Sequence, residues 1–261
     1  MRTLLTTCCL ALTLLAATAR AETPGESART TDHANDRAND AAVDRGIYAQ
    51  HAETLGAGKT SFNSYELLLA GFSYGINDTT QISATTLLPI VSDMPRLLIG
   101  NLKHVLVRGP QTVVSVNGML TAMSFDGDGL FMFGAGGMVD HHVSDRLALF
   151  GNLQVSGLAG RFNNSSLDVA NGSVLSGSAG ATWRAVDFVK LMAEYTVPAV
   201  YGRGNTGVYQ LDVAPLSGFM YGVRFHGPRI AVDLAFIKVL GSGSKDPFAM
   251  GIPLVTFNAR F

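Results

Sequence analysis

Gly251-Ile-Pro-Leu-Val-Thr-Phe-Asn-Ala-Arg-Phe261 is the stretch whose reading decides the fold. Counted back from Phe261, every second residue is Ala259, Phe257 and Val255. The alternate register is Arg260, Asn258 and Thr256. Side chains alternate between the two faces of a strand, so this segment has one apolar and one polar face. The same pattern recurs in residues 146–157, where Leu147, Leu149, Leu153 and Val155 oppose Arg146, Asn152, Gln154 and Ser156. Residues 188–198 set Val189, Leu191, Ala193, Tyr195 and Val197 against Lys190, Met192, Glu194 and Thr196.

Working outward from the last strand, the spacing of turn signals predicts twelve strands. They cover 44–52, 60–75, 79–90, 96–108, 111–124, 130–143, 146–158, 173–185, 188–198, 216–226, 229–240 and 250–261. The first rests mainly on parity. Tight turns are expected at Asn77-Asp78, Gly109-Pro110, Ser144-Asp145, Val186-Asp187 and Gly227-Pro228, pairs suited to short hairpins. Longer connections at 55–59, 91–95, 125–129, 159–172, 199–215 and 241–249 alternate with them. Short turns at one end and long loops at the other are the layout of an up-and-down barrel that crosses a bacterial outer membrane. An even count puts both termini on the periplasmic side.

Periodicity alone does not say which face is inside. A soluble antiparallel barrel keeps charges outward, and a membrane barrel inverts this. Charged residues make up 15% of the 261-residue chain, and the polar faces are rich in Ser, Gly, Asn and Thr. Trp183, Tyr201, Tyr221, Phe225, Phe257 and Phe261 fall toward strand ends, as interfacial girdles do. The reading is therefore an all-β, antiparallel transmembrane barrel of about twelve strands. A net charge of -1 gives no reason to expect nucleic acid as a partner.

The N-terminus reads differently. Leu4 to Ala19 is apolar apart from Thr, with Arg2 before it, and Ala19-Arg-Ala21 offers a cleavage site. Residues 1–21 are expected to be a signal peptide. Both cysteines, Cys8 and Cys9, lie within it, so no disulfide is expected in the remainder. Residues 22–44 are rich in Asp, Arg, Asn and Ala, with almost no large apolar side chain. Such a segment buries too little apolar area to offset its ordering entropy. It is expected to be a disordered periplasmic leader, the alternative being a short helix that plugs the lumen or binds a partner. Residues 45–261 are expected to form the barrel.

Phe72-Ser-Tyr-Gly-Ile-Asn-Asp-Thr-Thr-Gln-Ile-Ser83 resembles the YGITD hairpin of a family of bacterial outer-membrane β-barrel proteins of uncharacterised function. Leu55-Gly-Ala-Gly-Lys-Thr60 resembles that family's glycine-lysine turn, and Phe261 resembles the C-terminal signal read by the barrel-assembly machinery. Asn77 departs from the pattern, which more often has Thr. The resemblance implies a Gram-negative-type envelope with outer-membrane lipid as surroundings. It carries no catalytic residue.

The expected lumen face holds few charges, of mixed sign: Glu66, Lys103, Asp140, Arg184, Lys190, Glu194, Arg224 and Asp233. Two readings stand beside each other. The charges form an internal network that fills a narrow barrel, or several of them line the constriction of a porin-like passage for small solutes. A monomer is expected, with no cofactor and no metal. A non-conducting structural or adhesion barrel, acting through loops 159–172 and 199–215, is the rival. A barrel with 22–44 threading the lumen as in an autotransporter is a third reading, opposed by Pro24 and Gly25.

An outer-wall lipase would need a nucleophile, a base and an orienting group. His104 is the candidate base, Ser73 and Ser217 lie on or near apolar registers with nothing to bring either to it, and no G-x-S-x-G elbow occurs. His141 and His142 are adjacent and point to opposite faces of a strand, so one metal does not take both. Asp126-Gly-Asp128-Gly lacks the later ligands of a calcium loop, and Gly134-Ala-Gly-Gly137 reads as a strand relieved for curvature.

Overall fold

A computed structural model describes residues 38–66, 68–90, 94–125, 128–161, 172–203, 209–213, 217–240 and 251–261. The alternating segments become strands, numbered in chain order. They are β1 Thr60–Tyr65, β2 Leu69–Gly75, β3 Thr80–Leu87, β4 Arg96–Arg108, β5 Thr112–Phe125, β6 Asp128–His142 and β7 Leu147–Arg161. There follow β8 Gly172–Val186, β9 Val189–Arg203, β10 Tyr209–Val213, β11 Ser217–His226, β12 Ile230–Leu240 and β13 Ile252–Arg260. Every pairing is antiparallel, and β13 pairs β1, so the sheet closes on itself. One part of β9 pairs β11 and its far part pairs β10. Those two segments share one place in the ring, which gives twelve strand positions.

The expected count of twelve is met, although two of the expected strands differ. Residues 44–52 are not a wall strand. They carry one isolated bridge, Arg45 to Gln50, and lie inside the ring. The single strand expected at 60–75 is a hairpin of β1 and β2, reversed at Glu66 with φ of 52°. Tyr65-Glu66-Leu67-Leu68 carries no Gly, Pro, Asn or Asp, so the usual turn chemistry gives no warning there. The two differences cancel in the count and keep both ends of the wall on one side of the barrel.

All five tight turns stand where the turn residues predicted, at the end of the barrel we call the short-turn end. Asn77 Oδ1 accepts from the Thr79 and Thr80 amides, which closes the β2–β3 turn on its own side chain. Gly109 and Gly227 donate to the Thr112 and Ile230 carbonyls in theirs. Residues 55–59, expected as a loop between strands, instead lead from the lumen to the start of β1. At the seam, the Phe261 amide donates to the Thr60 carbonyl and the Thr60 amide donates to the Phe261 carbonyl.

The faces are inverted relative to a soluble barrel. Val155 is 55% exposed on the outer face while its neighbour Ser156 is 4% exposed on the inner one. Leu149, Trp183, Leu191, Tyr195, Val255 and Phe257 are likewise exposed outward. Thr256, Asn258 and Arg260 of the opening sequence are buried inward. An outer surface of exposed Leu, Val and aromatic side chains around a polar interior is stable against hydrocarbon and not against water.

Candidate functional site

Residues 38–55 occupy the lumen at the short-turn end. They enter beside β11–β13, where the Ala41 amide donates to the Gly227 carbonyl. They turn back at 46–49, where the Gly46 amide donates to the Ala49 carbonyl. They leave beside β2–β4, where Thr54 Oγ1 donates to the Asp78 carbonyl. The expected leader boundary at residue 44 is therefore corrected: residues 38–44 belong to this inner segment, and 22–37 fall outside the described residues. The physical reason is that burial here does not depend on large apolar side chains. The wall supplies hydrogen bonds to the segment's main chain instead.

Arg224 on β11 is the centre of that arrangement. Its Nε and Nη2 donate to the two Asp233 oxygens on β12 at 2.7 and 2.9 Å. Its remaining N–H groups reach the carbonyls of Ala42, Arg45 and Gly46 at 2.9 to 3.0 Å. All five guanidinium donors are thus used, as a planar fork allows and an ammonium does not. Asp233 also accepts from Thr256 Oγ1 at 2.7 Å.

Other wall residues treat the segment in the same way. Glu194 accepts from the Tyr48 and Ala49 amides, and Asp140 from those of Ala52 and Glu53. Lys103 donates to the carbonyls of Asp44 and His51. Arg260 donates to those of Ala38 and Asp40, and Gln81 accepts from the Leu55 amide. Side-chain pairs add to this: Lys190 with Asp40 at 2.8 Å, Gln81 with Asp44 at 2.8 Å and Arg108 with Glu53 at 3.1 Å.

Burial alone would raise the Asp40 carboxyl. The Lys190 ammonium and the Arg224 guanidinium outweigh it and hold Asp40 well below the usual carboxylate range. Burial pushes His51 down to about 3, helped by Arg224, Lys103 and Lys190, so its imidazole is neutral.

Apolar contact is small and local. Ile47 packs with Met192, Met220, Ala235 and Leu254, and Ala52 with Val105, Val113 and Met138. Close approach also demands glycine. A Cβ at Gly46 would stand 2.7 Å from Glu194 Oε2. One at Gly180 would fall on the Phe150 ring and the Ala193 carbonyl.

Of the residues the sequence put forward, Lys103, Lys190, Glu194, Arg224 and Asp233 are inward, buried and gathered on this segment. Asp140 joins them. Arg184 holds an inward register of β8, half-buried. Glu66 does not line the lumen: it sits at the β1–β2 turn, exposed, and accepts from the Val255 amide at 2.6 Å. Phe261 is 78% exposed beside the seam. Sequence reasoning missed Asp40, Gln81, Arg108, Asn152, His226 and Arg260. Arg260 and Gln81 were legible as members of a polar register. Asp40 had no signal, because its partners lie 150 and more residues away.

The residues considered for hydrolysis do not converge. His104 faces outward with Thr80 Oγ1 on its Nδ1 at 2.9 Å, whereas Ser73 points into the lumen toward Arg45. His141 meets Thr112 in the same outward manner, while His142 lines the lumen. Among the described residues no group of His, Cys, Asp and Glu is placed to hold a metal ion. The Asp126-Gly127 part of the glycine-rich loop and residues 162–171 of the first long loop fall outside the described residues. The second, expected as a loop over 199–215, is corrected: apart from 204–208 and 214–215, which also fall outside, it is the end of β9 paired with β10.

No protein-family model and no curated protein matches the sequence. Solved structures do resemble the barrel. The NanC porin is 10% identical, with 78% of this chain and 98% of that chain covered and a TM-score of 0.49. The KdgM porin is 9% identical over 78% and 96%, with a TM-score of 0.39. LpxR from Salmonella typhimurium is 10% identical over 78% and 99%, with a TM-score of 0.37. At such identity and such TM-scores the likeness is a general one and does not reach function.

Proposed function

We propose that this chain is an outer-membrane β-barrel whose lumen is a normally closed passage for small solutes, shut at the periplasmic end by residues 38–55. The observation that carries the reading is the way the segment is held. The wall grips it through directional polar bonds and a few small apolar contacts, so it is an ordered body inside the wall rather than part of the wall's own core. A twelve-strand ring lies between barrels filled by side chains and open porins, so removal of an inner segment leaves a narrow bore. The exposed apolar outer face suits outer-membrane lipid, with short turns toward the periplasm. Phe261, on the seam, is the residue we assign to recognition by the barrel-assembly machinery. No cofactor enters this function.

Single-channel conductance in planar bilayers tests the reading. The native barrel is expected to be closed. A variant with residues 38–55 replaced by a glycine-serine segment of equal length is expected to give stable steps. A folded variant that stays silent defeats the passage, and leaves a structural barrel acting through its loops. Equal steps from the native barrel defeat the closure.

A further inference from the structure

The charged residues that meet the inner segment occupy the short-turn half of the lumen; above that level the wall changes character. Adjacent strands show it in cross-strand rows. Lys103, Asn117 and Gly136 stand opposite one another on β4, β5 and β6. The next inward row toward the long-loop end is Asn101, Met119 and Gly134. Then come Ile99, Thr121 and Met132, and at the rim Leu97, Met123 and Leu130. Polarity thus falls in steps from a charge, through amides, to Leu and Met.

These rows face inward, because Asn101, Lys103 and Asn117 on the same registers are buried in the lumen. Leu97, Met123, Leu130 and Met132 are only half-buried, so their inner surfaces meet open space rather than packed neighbours. The outer faces of the same strands are apolar as well, with Leu98, Leu120 and Phe133 exposed to the outside. An interior shaped only for water or ions has no use for Leu and Met at these positions, since barrel lumens are polar where they hold water. Methionine in particular is an adaptable lining for apolar ligands. The floor is formed by the turn of the inner segment, where Tyr48 is 64% exposed.

We propose that this chamber binds an uncharged amphipathic small molecule, its apolar body against the β4–β6 rim and its hydrogen-bonding end toward Asn101, Asn117 and Gln154. Among the described residues, the rows from Asn101, Met119 and Gly134 to Leu97, Met123 and Leu130 hold no charge, the first on that register being Asp128 beyond Leu130, so an ion among these rows would lose hydration without a partner. The amides below the rim supply donors and acceptors for hydroxyl or amide groups. The inference names the solute class for the passage and rests on the membrane-barrel reading, but it does not need residues 38–55 ever to leave.

The test uses the complete barrel in lipid nanodiscs, titrated with the uncharged dye N-phenyl-1-naphthylamine against empty nanodiscs. A saturable fluorescence rise of one dye per barrel is expected. Met132→Lys should weaken it by about tenfold, because the ligand then meets a buried ammonium. Leu98→Ala, on the lipid side of the same strand, should leave it unchanged. The anionic dye 8-anilinonaphthalene-1-sulfonate should show no saturable binding to the native barrel, a measurement that stands even if Met132→Lys does not fold. Absence of a saturable component, equal loss in Leu98→Ala, or equal binding of the anion overturns the proposal. A dye that fails to bind while the segment-replaced barrel conducts strikes this inference alone; binding with a silent barrel strikes the passage alone.

Discussion

Arg224→Met is expected to free residues 38–55 from the lumen while leaving the barrel closed at its seam. The substitution leaves Asp233 and Asp40 without their guanidinium and removes the donors to three segment carbonyls. Breaking one side of a buried ion pair costs about 3–5 kcal/mol, most of it from the charge left behind. That is enough to turn a docked segment into a largely undocked one. Limited proteolysis reads the outcome: the native barrel should resist cleavage within 38–55 and the variant should be cut there, with the barrel itself intact on a heat-modifiability gel. Arg224→Lys should fall between them, because an ammonium has three donors and no fork. Equal protection of the native and methionine forms would mean that Arg224 does not hold the segment.

Val155→Arg is the second large effect. Val155 lies near the middle of β7, on the exposed outer face. An arginine at the bilayer midplane of a barrel costs about 2–4 kcal/mol. Urea unfolding in lipid vesicles should show that loss for Val155→Arg and little change for Gln154→Arg, one residue away on the lumen side. Such a contrast between adjacent positions arises only if the two faces see different solvents. Native stability for Val155→Arg would reverse the assignment of faces, and the membrane reading with it.

The wall was legible because its code is local. Leu191 and Glu194 could be sent to opposite faces from period two alone, and the Asn77, Gly109 and Gly227 turns announce themselves by residue type. The β1–β2 reversal was not legible, since Glu66 adopts its positive φ without any residue that favours it. The lumen charges were legible as a set but not as a site. Lys190 and Arg224 could be placed inside, yet nothing near them in sequence names Asp40 as their partner. The inner segment itself was hidden by its composition. Small polar residues read as disorder when burial is assumed to need apolar side chains, and here the wall recognises peptide carbonyls and amides that every sequence shares.

The segment passes in beside Gly227 and out beside Asp78, both at the same mouth of the barrel. A cord that dips into a tube and returns through the same opening is not linked to it. Its withdrawal therefore needs no parting of β1 from β13 and no passage of a chain end through the ring. Bonds to wall side chains, the one from the Ala41 amide to the Gly227 carbonyl and a few apolar contacts are exchanged for water, and the path back is the same as the path out. The first wall strand, starting at Thr60, holds the far end of the cord close to that mouth, so a withdrawn segment stays within reach of its own binding site.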